Sequence, residues 1–163
     1  MRDSTGTGTH LELLIQAIEK SRGKIAELGM GYYSTPYLHY KAFIQKRELV
    51  SFENNPKFVS YFEKYKNDTH KIVLVENWDD IDLSGHWGVA LIDHHPEERR
   101  VEEIKRLADS CDFIIIHDTN GRNERYFHFN TIFPLFKYRI DFTKEYPQTT
   151  LVSNFNDLKD FYV

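Results

Sequence analysis

Two short runs carry the side chains with the most chemistry to offer. Asp93-His94-His95 ends the apolar stretch 87–92, and His117-Asp118-Thr119-Asn120 ends the apolar stretch 113–116. An imidazole set against a carboxylate can take up a proton, so His94 and His117 are candidate general bases. A third group lies earlier. An apolar run from Lys24 reaches Glu27, then Gly29-x-Gly31, then Ser34-Thr35-Pro36. The two glycines allow a tight turn and a close approach of a ligand to the backbone. Thr35 can act as a helix N-cap and Pro36 suits the first helical position. A strand, a glycine turn and a helix N-terminus together make a nucleotide site. Glu53 closes another apolar run (Leu49, Val50, Phe52) about twenty residues on, where an acid that binds ribose hydroxyls is expected. An ordinary strand–turn–helix with carboxylates capping the following helices would show the same local pattern.

Composition narrows the classes. The chain has 163 residues, 40% hydrophobic and 28% charged, values of one globular domain with a real core. A net charge of −4 and the lack of a basic run argue against a nucleic-acid partner. Cys111 is the only cysteine, which excludes an internal disulfide and a cysteine metal cluster. Neither a signal peptide nor an apolar run long enough for a membrane span is visible, so a cytoplasmic enzyme or binding protein is expected. Aromatic residues make up 15%, more than a core alone needs, and suit a pocket lining or an interface in a homo-oligomer.

The patterning that must position these residues alternates strand and helix. Residues 1–8 are polar and rich in Gly and Thr. Thr9-x-x-Glu12 is a capping-box pattern that opens a helix to about 21. Strands are expected at 24–28, 48–53, 72–75, 87–92 and 113–116, with helices at 36–44, 56–66, 96–110 and 125–133 between or after them. Segments 136–142 and 149–155 alternate around Pro147 and predict an antiparallel hairpin. The fold class is therefore α/β, a doubly wound, mostly parallel seven-stranded sheet, Rossmann-like, in one domain over 1–163. Residues 1–22 form its leader and first helix, and 136–155 its terminal hairpin. Strand ends of such a sheet carry the site, and Glu27, Glu53, Asn77, Asp93 and His117-Asp118 stand at the five ends.

Five parallel units followed by an antiparallel return resemble the class I S-adenosylmethionine-dependent methyltransferases, over almost the whole chain. Glu27-x-Gly29-x-Gly31 is similar to that family's first motif, Glu53 to its ribose-binding acid, and Asn77-Trp78-Asp79 to the segment that holds the adenine. Ser34-Thr35 in place of a further glycine resembles the variant of small-molecule O-methyltransferases. The resemblance thus implies cofactor contacts from Glu27, Gly29, Gly31, Ser34, Thr35, Glu53, Asn77, Trp78 and Asp93. It places catalysis on Asp93, His94, His117 and Asp118. Catechol-type relatives bind Mg²⁺ through an Asp-His after the fourth strand and an Asp-Asn after the fifth. Asp93 and Asp118 match as metal ligands, whereas Thr119 stands in place of the Asn. The implied function is methyl transfer from S-adenosylmethionine to a small-molecule acceptor, with metal-assisted O-methylation as its finer form. Tyr32, Tyr33 and Tyr126 would line the acceptor pocket, and residues 1–8 would order over the bound cofactor.

Two alternatives stay open on the residues alone. Asp93-His94-His95 resembles the signature of a metal-dependent phosphoesterase, and imidazole with carboxylate suits Mn²⁺ or similar ions. That family's His-x-Asp motif does not occur upstream, and the glycine turn and Glu53 would go unexplained. A non-catalytic nucleotide-binding module would carry the same strand-end residues.

Overall fold

The computed structural model describes residues 8–163. The expected leader, apart from Gly8, lies outside the described residues. Five strands form the parallel part of one sheet: β1 (Lys24–Leu28), β2 (Leu49–Glu53), β3 (His70–Leu74), β4 (Trp87–Ile92) and β5 (Cys111–His117). The hairpin of β6 (Tyr138–Phe142) and β7 (Thr149–Ser153) completes it, in the order β3-β2-β1-β4-β5-β7-β6. β7 pairs antiparallel with both β5 and β6. The doubly wound, seven-stranded sheet with an antiparallel C-terminal pair is the fold the patterning predicts. No helix among the described residues is long and apolar enough to cross a membrane.

Strand period two sorts the core into two layers. Ala26, Leu28, Phe52, Ala90, Ile92, Ile114 and Ile116 face one side and pack with α4 (Arg100–Leu107) through Ile104 and Leu107. Ile25, Leu49, Val89, Leu91, Phe113 and Ile115 face the other. There they meet Leu14 and Ile18 of α1 (Leu11–Lys20) and Leu38 and Ala42 of α2 (Ser34–Gln45). Every one of these side chains is buried, and each large aliphatic one contributes about 1.5–3 kcal/mol.

Several local expectations give way to longer-range contacts. No capping box forms at Thr9: α1 starts at Leu11, His10 holds the N-cap position without a side-chain bond, and Thr9 Oγ1 instead meets His117 Nε2 at 2.9 Å. Thr35 is not an N-cap either. α2 already starts at Ser34, because Ser34 and Thr35 both turn their hydroxyls onto the buried Glu27. The expected helix 56–66 is α3 (Pro56–Phe62) continued by a 3-10 turn. The expected helix 96–110 begins as a 3-10 turn at Glu97–Arg99 and is α-helical only from Arg100. The expected helix 125–133 is displaced. α5 (Gly121–Tyr126) begins earlier, the left-handed backbone of His128 (φ 62°) prevents its continuation, and two 3-10 turns, Phe129–Thr131 and Phe133–Leu135, follow.

Candidate active site

The chain reverses its winding between β1 and β4, and the crevice at that switch point is where an open α/β sheet binds ligands. A cleft of about 790 Å³ opens there, lined from the ends of β1, β2, β4 and β5 and from His10 at the start of α1. Gly29 donates to Phe52 O (2.9 Å) and Asp93 N donates to Leu28 O (2.8 Å), so the ladder runs up to the turn itself. Gly29 has φ 93°, and a Cβ there would lie 2.6 Å from the backbone of Asp93 and His94. Only glycine lets these two strand ends approach so closely.

Glu27 sits beneath the turn and is fully buried. Ser34 and Thr35 donate to its Oε1 at 2.7 and 2.8 Å, and Ser51 donates to Oε2 at 2.5 Å. Burial pushes its carboxyl up to about 7, against the lowering effect of those three hydroxyls. Thr35 Oγ1 also accepts from Gly31 N (3.0 Å). Glu27, Ser34 and Thr35 therefore shape the glycine loop from below and do not line the cleft, whereas Gly31 does. Glu53 faces the cleft, its Oε2 accepting from Met30 N (2.8 Å) and its Oε1 from Asn55 N (2.7 Å). One carboxylate thus ties the β1 and β2 loops together and still borders the open space.

Asn77 and Trp78 lie elsewhere. Asn77 lines a separate groove beside Asp80 and Trp87. Trp78 is buried behind the cleft, donates from Nε1 to His95 O (2.9 Å) and packs its ring 4.0 Å from that of His94. Tyr32 and Tyr33 are on the cleft wall, while Tyr126 is exposed and does not reach it.

The ends of β4 and β5 converge on a guanidinium. Arg100 Nη2 donates to Asp93 Oδ1 (3.2 Å) and Nη1 to Asp118 Oδ2 (3.1 Å). Its Nε donates to His94 O (2.7 Å), and Nη1 also reaches His117 O (3.2 Å). Asp93 Oδ1 meets His117 Nδ1 at 3.0 Å. Burial of Asp93 opposes its charge, but the hydrogen bond and charge of His117 and the charge of Arg100 outweigh it, leaving the carboxyl below its ordinary value. For His117, burial works against the proton, yet the bond and charge of Asp93 and the charge of Asp118 raise it above the ordinary imidazole value. Asp118 holds a left-handed backbone, φ 62°, uncommon away from glycine.

His94 points away from this group, with Nε2 3.2 Å from the buried Glu103 Oε2, and burial first of all lowers its pKa. His10 stands edge-on to His117, ring centroids 5.0 Å apart. Both of its ring nitrogens are buried without a hydrogen-bond partner among the described residues. Burial, then the charge of His117, pushes His10 down to about 4, so it is a neutral imidazole facing the cleft.

Three contributors escape a reading of local patterns: Thr9, His10 and Arg100. For Arg100 a signal exists. Arg100, Ile104 and Leu107 share one helical face, and a charge on an apolar face calls for a buried partner. For Thr9 and His10 no spacing rule applies, since their partner is more than a hundred residues away.

No protein-family model and no curated protein sequence matches the chain. Solved structures do. It is similar to the O-methyltransferase TomG from Streptomyces achromogenes, a complex with S-adenosylmethionine. Identity is 15%, with 94% of this chain and 83% of that one covered and a TM-score of 0.66. It is similar to the S-adenosylhomocysteine-bound methyltransferase PaMTH1 from Podospora anserina, at 14% identity, 90% and 77% coverage and a TM-score of 0.65. It is also similar to an rRNA methylase from Streptococcus thermophilus, at 9% identity, 96% and 99% coverage and a TM-score of 0.59. With its strand order, its antiparallel β7 and its glycine turn at the switch point, this chain has the fold of the class I S-adenosylmethionine-dependent methyltransferases.

Proposed function

We propose that the chain is an S-adenosylmethionine-dependent methyltransferase acting on an oxygen of a small-molecule acceptor. The observation that carries this reading is Glu53, a cleft-facing carboxylate that fixes the glycine loop at the switch point of a methyltransferase fold. A metal-dependent phosphoesterase leaves that carboxylate and the Gly29 turn without a task. The cleft fits the cofactor: an acid for a diol, a glycine backbone at Gly31, and apolar walls at Met30, Tyr32 and Phe58.

S-adenosylmethionine supplies an electrophilic methyl group on a sulfonium, and its transfer is a direct displacement. The protein's tasks are then alignment, exclusion of water and removal of one proton. Asp93 holds His117 by Nδ1, which leaves Nε2 as the basic nitrogen. The acceptor's proton ends on Nε2, the ring nitrogen that the Thr9 hydroxyl holds in place at 2.9 Å. The oxygen takes the methyl group as its proton leaves. His10, whose two ring nitrogens have no hydrogen-bond partner among the described residues, faces the cleft beside His117 and binds a second polar group of the acceptor. Glu53, Asp93 and Asp118 outnumber Arg100 at the cleft, which favours a small acceptor over a phosphate backbone.

Mg²⁺ does not fit the Asp93–Asp118 pair. Arg100 already bridges the two carboxylates, so no step runs through that ion.

Glu53→Ala tests the cofactor site. Charged hydrogen bonds are worth about 1.5–3 kcal/mol, so affinity for S-adenosylmethionine falls about tenfold to over a hundredfold. Unchanged calorimetric affinity in a folded variant takes Glu53 out of the site.

A further inference from the structure

We infer that Arg100 is the resident cation of this site. Its guanidinium fills the place between Asp93 and Asp118 that a divalent ion would need, and removing that one side chain creates a metal site. The claim of metal-free turnover rests on the methyl-transfer reading above. The claim about ion binding does not.

The geometry is specific. Arg100 comes from the first turn of α4, yet its side chain is only 1% exposed, while those of Asp93 and Asp118 remain about a quarter open to the cleft. Its donors reach both strand ends, two carboxylates and the carbonyls of His94 and His117. A guanidinium keeps its charge at any accessible pH and presents a planar fork of donors. Buried, it requires anions beside it, and removal of either partner would leave an uncompensated charge. The two strand-end carboxylates are thereby explained as ligands of an arginine. A hard divalent ion would need the same oxygens with waters around it, and the guanidinium stands in that space.

The nearest other donor set is His10, Asp93 and His117, whose ligand atoms lie within 4.8 Å of one another. It shares Asp93 Oδ1 with Arg100 and with His117. An ion there would stand beside a fixed positive charge, within a few ångströms and shielded from bulk water.

Mn²⁺ is the probe, its uptake followed by loss of the free-ion paramagnetic resonance signal with the full chain. Wild type takes up no stoichiometric Mn²⁺, and its turnover is indifferent to EDTA. Arg100→Ala binds one Mn²⁺ at least roughly ten times more tightly than wild type, because two carboxylates have lost the guanidinium that bridged them. Arg100→Lys keeps a charge in place and does not bind. Adding Asp118→Asn to Arg100→Ala abolishes the gain. Stoichiometric Mn²⁺ on wild type, or a folded Arg100→Ala that binds no better than wild type, overturns the inference. If Arg100→Ala does not fold, the wild-type arms decide alone: turnover that falls with EDTA and returns with Mn²⁺ overturns it. A wild type that fails to bind S-adenosylmethionine instead strikes the methyl-transfer reading and leaves the Mn²⁺ results standing.

Discussion

His117→Gln lowers kcat about 10²- to 10⁴-fold, the usual contribution of a positioned general base, and leaves calorimetric affinity for S-adenosylmethionine close to wild type. The two effects separate because His117 belongs to the β5 end, whereas Glu53 and the glycine loop belong to β2 and β1. The pH profile carries the same information with a sign. In the proposed role of general base His117 must lose its proton, and Asp93 holds its pKa above the ordinary imidazole value. The kcat of wild type therefore rises with pH and levels off above that raised value. Asp93→Asn removes the negative charge beside the imidazole and leaves only a neutral amide oxygen to accept from Nδ1, so the midpoint moves to lower pH, while the plateau falls because the tautomer and ring orientation are less firmly fixed. A His117→Gln enzyme within about tenfold of wild type would remove His117 from the chemistry.

Gly29→Ala destabilises the protein by about 2–5 kcal/mol, from a left-handed backbone and overpacking together. At φ 93° the new Cβ would press on Asp93 and His94 backbone atoms at 2.6 Å, and backbone cannot rotate aside as a side chain can. Relaxing that clash spreads β1 from β4 at the switch point, so cofactor affinity falls with stability. Gly121→Ala is the control. Its φ is not in the left-handed region and nothing lies within 4 Å of the added carbon. Urea midpoints check both. Equal midpoints for wild type and Gly29→Ala would mean that the turn has room the geometry denies it.

What the sequence makes legible follows the range of the interactions involved. Apolar runs are local, and β1 and β4 fall on 24–28 and 87–92 as expected. The antiparallel end is legible from alternation around Pro147. Glu53 is legible because a strand, a turn and a fixed interval place it at the cleft. Helix starts are less so. Thr9 and Thr35 satisfy capping rules locally, yet each hydroxyl has a stronger partner inside the fold, His117 for one and Glu27 for the other. The helix expected at 125–133 fails at His128, where the left-handed conformation leaves no mark in the residue pattern. At the site, Asp93, His117 and Asp118 come together as adjacent strand ends of a parallel sheet must. Arg100 does not emerge from strand ends at all. It enters from α4 on the face it shares with Ile104 and Leu107, which marks it as buried, but its two carboxylate partners are fixed only when α4 is docked.

Methyl transfer by this chain requires that it bind S-adenosylmethionine. Isothermal titration of the purified full chain with S-adenosylmethionine, and with its demethylated product, measures that binding most directly. One site per chain is expected, with a matching thermal stabilisation and weaker binding in Glu53→Ala. A folded chain that binds neither compound, and instead cleaves a phosphodiester with Mn²⁺ in a way that His95→Ala abolishes, would contradict methyl transfer.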